Sequence, residues 1–217
     1  MIYEDPVNFV RLEADPFVLP EWPPSANSHP AAIGPDQMAR ILKGFTVREH
    51  RPWLLVMMMG EAPWEPAFRD EEVGLLAPRL AEALAQAKPD ERVTYYLSQP
   101  QTSIKREITS GGLYVKENRL HFILGNRQII YGIPAYGMVY DRRYPMRPTA
   151  AKGFDLSFDQ AAAVVKQESS IWDRLLGREK DEMVINLRKL VPNPSVAASA
   201  AQGESGSTPE LAVKPAA

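Results

Sequence analysis

The sequence has no cysteine among its 217 residues, and this absence excludes several classes of chemistry. A chain without thiols forms no disulfide, holds no iron–sulfur cluster or cysteine-ligated zinc, and has no thiol nucleophile. Histidine is nearly as scarce, since the chain has three and none stands at a metal-ligand spacing such as HExxH. We therefore expect no metal and no cofactor.

The chain also lacks a strong charge of either sign. Its 25 Lys and Arg residues against 27 Asp and Glu residues give a formal net charge of −2. Proteins that bind the phosphate backbone of nucleic acids gain most of their affinity from an excess of cations. We therefore do not expect nucleic acid as a partner.

Long apolar segments are missing as well. The longest apolar run, Trp53 to Met59, is far shorter than the ~20 residues of a membrane-spanning helix, and we interpret it as a buried strand. The first residues show neither the basic nor the apolar part of an export leader. The sequence as given thus predicts either a cytosolic protein or one whose leader has been removed.

Catalytic signatures are absent from the sequence. It contains no nucleophile elbow, no phosphate-binding P-loop and no dinucleotide-binding glycine motif. The nearest candidate for an anion-binding loop is Gly111-Gly112 after Thr109-Ser110, and a bend leading into a hairpin is the commoner role of such a pair. We therefore favour a protein that is not an enzyme.

The distribution of proline suggests how the chain is organised. Many of its 20 prolines fall in residues 6–35, in residues 134–148 and after Pro192, whereas the middle is rich in periodic apolar residues. We predict an extended N-terminal arm over residues 1–34, a single α+β domain over residues 35–190, and a disordered tail rich in Pro, Ala and Ser over residues 191–217.

Apolar residues at helical spacing predict three packed helices. The first begins at Pro35 and carries an apolar face of Met38, Ile41 and Leu42 before Gly44. The second begins with Asp70 as its cap and carries Pro78, where we expect a kink or a fresh start. The third follows the capping-box pattern of Ser157 and Gln160 and ends near Gly177.

Alternating and β-branched segments predict a largely antiparallel sheet. The clearest feature is a hairpin in which Leu113–Val115 and Leu120–Leu124 flank the polar residues 116–119. The other predicted strands are Val7–Leu12, Phe45–Arg48, Val93–Leu97, Gln128–Tyr131, Gly137–Tyr140 and Met183–Leu190.

One loop mixes aromatic rings with cations and is the candidate binding patch. It comprises Tyr140, Arg142, Arg143, Tyr144 and Arg147. Such a set suits contact with a protein partner or with an envelope component resembling peptidoglycan, and it also suits a solvated loop. We expect His29 to be a loop residue bonded to the backbone and His121 to be a half-exposed strand residue.

Three stretches together resemble a known group of proteins. They are His29-Pro30 leading into Gln37–Leu42, then Phe68 through Leu97, then Gly111–Val115 with Leu120–Phe122. Over residues 29–124 the chain resembles a group of uncharacterised bacterial cell-envelope lipoproteins. The resemblance implies an export leader and a lipid-modified cysteine ahead of the domain, neither of which this sequence includes, and it implies no catalytic residue.

These observations leave three functional hypotheses. The favoured one is a non-enzymatic envelope accessory protein, in the periplasm or at the outer membrane, that binds a protein or an envelope component and carries a lipid anchor if a leader has been trimmed. The second is a cytosolic hydrolase that uses carboxylates or His29 and His121. The third is a cytosolic adaptor that binds a peptide along an exposed strand edge.

Overall fold

The computed structural model describes residues 1–16, 18, 26–102, 105–132, 142–148, 153–165 and 182–190. Three helices and two antiparallel sheets in these ranges confirm the predicted α+β fold. The helices are α1 (Pro35–Gly44), α2 (Trp53–Met59) and α3 (Asp70–Gln86), and a short 3-10 helix covers Leu187–Lys189. The strands are β1 (Tyr3–Glu4), β2 (Phe9–Ala14), β3 (Phe45–Glu49), β4 (Glu65–Pro66), β5 (Glu91–Thr102), β6 (Lys105–Lys116), β7 (Arg119–Gly132), β8 (Phe154–Phe158) and β9 (Glu182–Asn186).

The main sheet has six strands in the order β1-β2-β5-β6-β7-β9, and every neighbouring pair is antiparallel. Side chains alternate between its two faces, so Tyr95, Leu113 and Phe122 project toward one side. There they join a single buried cluster with the apolar residues of α1 and α3, including Leu42 and Leu80. This helix-covered side is the inner face, and the opposite side is the outer face.

The segment predicted as an N-terminal arm contributes strands to this sheet. Strand β2 pairs with β5 from Phe9↔Tyr96 to Ala14↔Glu91, and β1 lies at the edge beside it. Further along, Nε2 of the buried His29 accepts a hydrogen bond from the Val115 amide over 2.9 Å, which confirms the predicted backbone contact.

The predicted hairpin is confirmed in strands β6 and β7. Glu117 and Asn118 both have positive φ, 51° and 60°, and Lys116 pairs with Arg119, so the turn has two residues of the left-handed type that suits a hairpin. The strand predicted at residues 128–131 is the continuation of β7.

The predicted bend at Gly111-Gly112 is wrong, because both glycines lie inside β6. The register with β7 shifts beside Gly111, and a Cβ on this residue would lie 2.1 Å from the carbonyl oxygen of Ile123. Glycine is therefore required here for close approach of the backbones.

A three-stranded sheet in the order β4-β3-β8 packs beside the main one. The ring of Phe45 stacks on Phe122 of β7 at 4.1 Å between centroids and meets Phe158 of β8 at 5.2 Å. Phe45 is fully buried, so it joins the two sheets into one core.

Strand β8 corrects the prediction of a helix after Ser157. Ser157 pairs with Thr46 of β3, so its backbone belongs to a sheet, and residues 161–163 form a turn before Val164 bridges to Ile185 of β9. The remaining part of the predicted helix lies outside the described residues. The same holds for the strand predicted at 137–140 and for the tail from residue 191.

Helix α3 begins one residue earlier than predicted. Arg69, rather than Asp70, is its N-cap, and the Arg69 amide donates to the Glu72 carboxylate over 2.8 Å. The helix continues through Pro78 to Gln86, so no fresh start occurs. The last strand ends at Asn186, where the 3-10 helix takes over.

Candidate binding surface

The run Trp53–Met59 overturns the prediction of a buried strand, because it forms helix α2 and buries none of its residues. We call these seven residues the apolar tip. The most exposed side chains are Trp53 at 76%, Met57 at 79% and Met58 at 74%, and even Leu55 is 41% exposed. Apolar runs of this length do not distinguish helix from strand by periodicity. Leucine and methionine favour helices, and the flanking proline and glycine are helix-boundary signals that the sequence already contained.

The tip occupies the connection between β3 and β4, which pair at Val47↔Glu65. The amides of Leu55 and Val56 donate to the carbonyl of Pro52, and the Gly60 amide donates to the carbonyl of Val56 over 2.8 Å. Gly60 has a φ of 75°, a conformation that glycine adopts without strain, and this residue ends the helix. Both ends of α2 are thus fixed by local hydrogen bonds.

Ionic contacts hold the chain beneath the tip, and we call Arg48, His50, Glu61 and Asp155 the ionic base. Arg48 pairs with Glu61 and, at 3.3 Å, with Asp155, whose other oxygen lies 2.9 Å from Nε2 of His50. The hydrogen bond from His50, reinforced by Arg48, lowers the pKa of Asp155. The carboxylate therefore stays ionised near neutral pH.

Two further contacts hold the chain on either side of the tip. The Arg48 guanidinium lies over the ring of Trp64, 4.8 Å from its centroid, and Arg51 donates to the carbonyl of Gly60 over 3.1 Å. The segments that flank the helix are therefore held by contacts of their own, and the charges of the ionic base are engaged with each other.

The physical character of the tip is that of a docking element. Complete burial of a large apolar side chain is worth about 1.5–3 kcal/mol, and the tip leaves six such side chains substantially in water. Contiguous exposed apolar surface of this kind marks interaction sites. Its side chains carry no ionisable group, so the surface is suited to binding.

The loop predicted from the sequence as a binding patch lies elsewhere, against the outer face of the main sheet. Arg11 of β2 donates to the carbonyls of Arg142 and Arg143, over 3.4 and 2.8 Å. The Arg142 guanidinium covers the rings of Phe9 and Tyr96 at 5.5 and 5.1 Å from their centroids. Arg142 is therefore part of the packing on the sheet.

The other described members of the patch gather around one ring. Arg143 and Arg147 place their guanidinium groups 5.8 and 5.0 Å from the ring centroid of Tyr144, which is half exposed. The structure thus brings Arg142, Arg143, Tyr144 and Arg147 into one segment, whereas Tyr140 lies outside the described residues. A binding role for this patch stays a prediction.

Close packing also holds this segment on the sheet. The Ser110 hydroxyl donates to the Pro145 carbonyl over 2.7 Å, and a Cβ on Gly112 would lie 2.6 Å from Sδ of Met146. The segment 142–148 therefore crosses the outer face at a place where the sheet presents small residues.

His121 forms a small polar cluster at the β9 side of the main sheet. The Glu182 carboxylate accepts a hydrogen bond from the Tyr114 hydroxyl over 2.7 Å and also pairs with the His121 ring, which stacks on Tyr114 at 4.5 Å. Burial, followed by the neighbouring Glu182, raises the pKa of Tyr114, so its hydroxyl remains a donor. The cluster fastens β9 to the hairpin.

His29, the other histidine of the hydrolase hypothesis, has a different environment. Burial lowers its pKa, which favours the neutral ring that accepts from the Val115 amide. The nitrogen Nε2 is therefore engaged in holding the hairpin.

A charged cleft of about 500 Å³ beside α3 was not predicted. It is lined by Lys43, Glu65, Pro66, Phe68, Arg69, Asp70, Arg127 and Gln128. The buried Arg127 guanidinium reaches the carboxylates of Glu65 and Glu49 at 3.1 and 3.4 Å, and Lys43 pairs with Asp70 at 2.8 Å. The charged side chains of these ion pairs therefore have a structural role, because each pair connects two different elements. Across the described parts of the chain, no three His, Asp or Glu side chains converge so as to hold a metal ion.

No family model, curated protein or solved structure matches this chain. The apolar tip is thus identified from its own geometry, as the most exposed apolar element that the structure describes. In the described residues, no helix is both long and apolar enough to cross a membrane.

Proposed function

We propose that this protein is a non-enzymatic accessory protein that attaches to a component of the cell envelope through the apolar tip. The single observation behind this proposal is the exposure of Trp53–Met59, a formed helix that buries none of its residues. Keeping large apolar side chains in water is costly, and a partner that covers them recovers that free energy. The resemblance to envelope lipoproteins supports the choice of compartment.

A sedimentation experiment tests the attachment. The purified full chain is mixed with washed bacterial envelopes and centrifuged, and the bound fraction is measured. The tip variant carries Met57→Glu and Met58→Glu, and the control variant carries Ala32→Glu and Ile130→Glu. All four positions are exposed, and both variants add the same charge.

We expect the wild-type chain and the control variant to sediment with the envelopes and the tip variant to bind at least about tenfold more weakly. Circular dichroism establishes that the three proteins are equally folded. The proposal fails if the wild-type chain stays in the supernatant, or if the tip variant sediments as well as the control.

A further inference from the structure

We infer that the component bound by the apolar tip is the lipid bilayer itself, with α2 inserted among the headgroups and the upper acyl chains. This inference rests on the proposed function, because it names the partner of the same surface. It is carried by the distribution of apolar side chains around α2, by the dimensions of the helix and by the charges at its base.

The apolar side chains surround the helix axis. A helix that docks into a protein groove presents anchors on one face, at spacings of three and four residues, and keeps polar residues on the other. The tip has no polar position, and Trp53, Leu54 and Leu55, which point in three different directions, are all more than two-fifths exposed. A helix that is apolar all round is stable when its surroundings are apolar on every side, as in a bilayer.

The small surface area of the tip argues against its burial by a second copy of this chain. A seven-residue helix is about 10 Å long and about 10 Å wide, so its side surface is roughly 350 Å². A stable protein interface buries about 800 Å² on each partner. A second tip would cover only one side of the first, so self-association leaves most of the apolar surface in water.

The dimensions match the outer part of a bilayer. An interfacial helix with one apolar face buries that face about 5–10 Å deep at the boundary between headgroups and acyl chains. Helix α2 is apolar on every side and about 10 Å in length and width, so the whole helix fits within this depth. Its length is far below the ~20 residues that cross the hydrocarbon core. Tryptophan prefers the boundary between lipid and water, and Trp53 at the start of the tip and Trp64 at the ionic base occupy suitable places.

The charges at the base indicate which lipids are bound. Beside the tip, the two guanidinium groups of Arg48 and Arg51 stand against the two carboxylates of Glu61 and Asp155, so the base brings no large excess of positive charge to the membrane. Binding to anionic lipid surfaces through basic residues depends on such an excess and weakens with salt. The apolar tip should instead bind zwitterionic lipid, with little dependence on salt.

Flotation with phosphatidylcholine vesicles tests the inference. The full chain is mixed with vesicles at about 0.1 M and at about 0.5 M NaCl, a change that shortens the Debye screening length from about 10 Å to about 4 Å. We expect the wild-type chain and the control variant to float at both salt concentrations, with affinities within about threefold, and the tip variant to lose at least about tenfold in affinity.

Tryptophan fluorescence gives the depth of insertion. We expect vesicles with brominated acyl chains to quench part of the wild-type emission, and we expect Trp53→Phe to remove most of that quenching while the other three tryptophans, Trp22, Trp64 and Trp172, remain. Absence of quenching in the wild-type chain overturns insertion.

The two proposals fail in distinguishable ways. If the wild-type chain sediments with envelopes through the tip but does not float with vesicles, the partner is a protein or wall component, and the bilayer inference is wrong while the proposed function stands. If the chain elutes as a dimer that the tip variant disrupts, and vesicles do not bind it, the bilayer inference is also wrong. If tip and control variants sediment with envelopes equally, both proposals fail.

Discussion

Among single residues, Glu72 shows how a buried carboxylate is retained at the start of a helix. Its side chain is almost completely buried in the first turn of α3, and it accepts a hydrogen bond from the Arg69 amide. Burial raises the pKa of Glu72, and the nearby Glu107 carboxylate raises it further, against the opposing effects of the Arg69 hydrogen bond and charge. Keeping the Glu72 carboxylate ionised at this cap therefore costs free energy in the folded protein.

We predict that Glu72→Gln stabilises the protein above neutral pH. Because the folded pKa lies above the unfolded one, the native state binds more protons between these values, and stability falls as pH rises through the folded pKa. Glutamine keeps an acceptor for the Arg69 amide and removes the charge. Urea unfolding should show a gain of about 1 kcal/mol at pH 8 that disappears at pH 4.

The matched control for this change is Glu71→Gln, the exposed neighbour in the same helix turn. Its effect should stay within about 0.5 kcal/mol at both pH values, as is usual for surface substitutions. A Glu72→Gln protein that is less stable than wild type at pH 8 would show that the ionised carboxylate is favourable in the fold.

At the scale of elements, the turn between β6 and β7 has the backbone geometry of a two-residue hairpin turn, but its residues are not the ones that favour this geometry most. Glu117 and Asn118 both adopt left-handed conformations, which asparagine and glycine tolerate better than glutamate. The backbone of the turn also serves other segments, since the Glu117 amide donates to the Ser28 hydroxyl and the Leu187 amide donates to the Asn118 carbonyl. Its conformation is therefore held by tertiary contacts as well as by sequence.

The double change Glu117→Asn and Asn118→Gly should increase the free energy of unfolding by about 1 kcal/mol, because it matches the residues to the turn. Thermal unfolding monitored by circular dichroism measures the gain. The comparison variant Asn118→Val places a β-branched residue at positive φ and should destabilise. Equal melting temperatures in all three proteins would mean that the turn relaxes to another conformation.

At the scale of the whole molecule, the two sheets share one core while the tip lies outside it. Phe45 touches both Phe122 of the main sheet and Phe158 of the smaller sheet. Among the three described α-helices, α2 is the one whose apolar side chains contribute nothing to that core. Some apolar residues of the chain therefore stabilise the fold, and different ones form the proposed docking surface.

Phe45→Ala should cost about 3–5 kcal/mol, as large-to-small changes in a core do, and the sheets should unfold together. Leu54→Ala truncates an exposed residue of the tip, and we expect it to cost less than about 0.5 kcal/mol. Denaturant unfolding followed by far-ultraviolet circular dichroism and by the near-ultraviolet signal of buried aromatic residues such as Tyr95 checks both. Separate transitions for the two probes, or a large cost for Leu54→Ala, would contradict this division.

The elements that could be predicted from sequence are those with a strong local pattern. Helix α1 has a proline at its first position and an apolar face, and the hairpin has alternating residues on either side of a polar turn. Strands β3 and β5 follow from their β-branched and aromatic content. These signals depend on a few neighbouring residues, so they can be recognised without knowing how the remainder of the chain folds.

The segments that were mispredicted depend on distant partners. The pattern at Ser157 and Gln160 resembles a helix cap, yet Ser157 pairs with Thr46 of β3, and this long-range pairing outweighs the local preference. Likewise, the sequence shows that the residues around Tyr144 are rich in aromatic rings and cations. The position of this patch on the outer face, however, depends on contacts with Arg11, Ser110 and Gly112.

By itself, the sequence determined the class of the fold, its main helices and the central hairpin, because periodicity and turn residues act locally. It also provided the seven consecutive apolar residues of the tip, with their flanking proline and glycine. Only the tertiary structure decided that these residues are exposed. An apolar run has the same composition inside a core and outside it, and β3 finds its partners in β4 and β8, which leaves the connection between β3 and β4 in solvent.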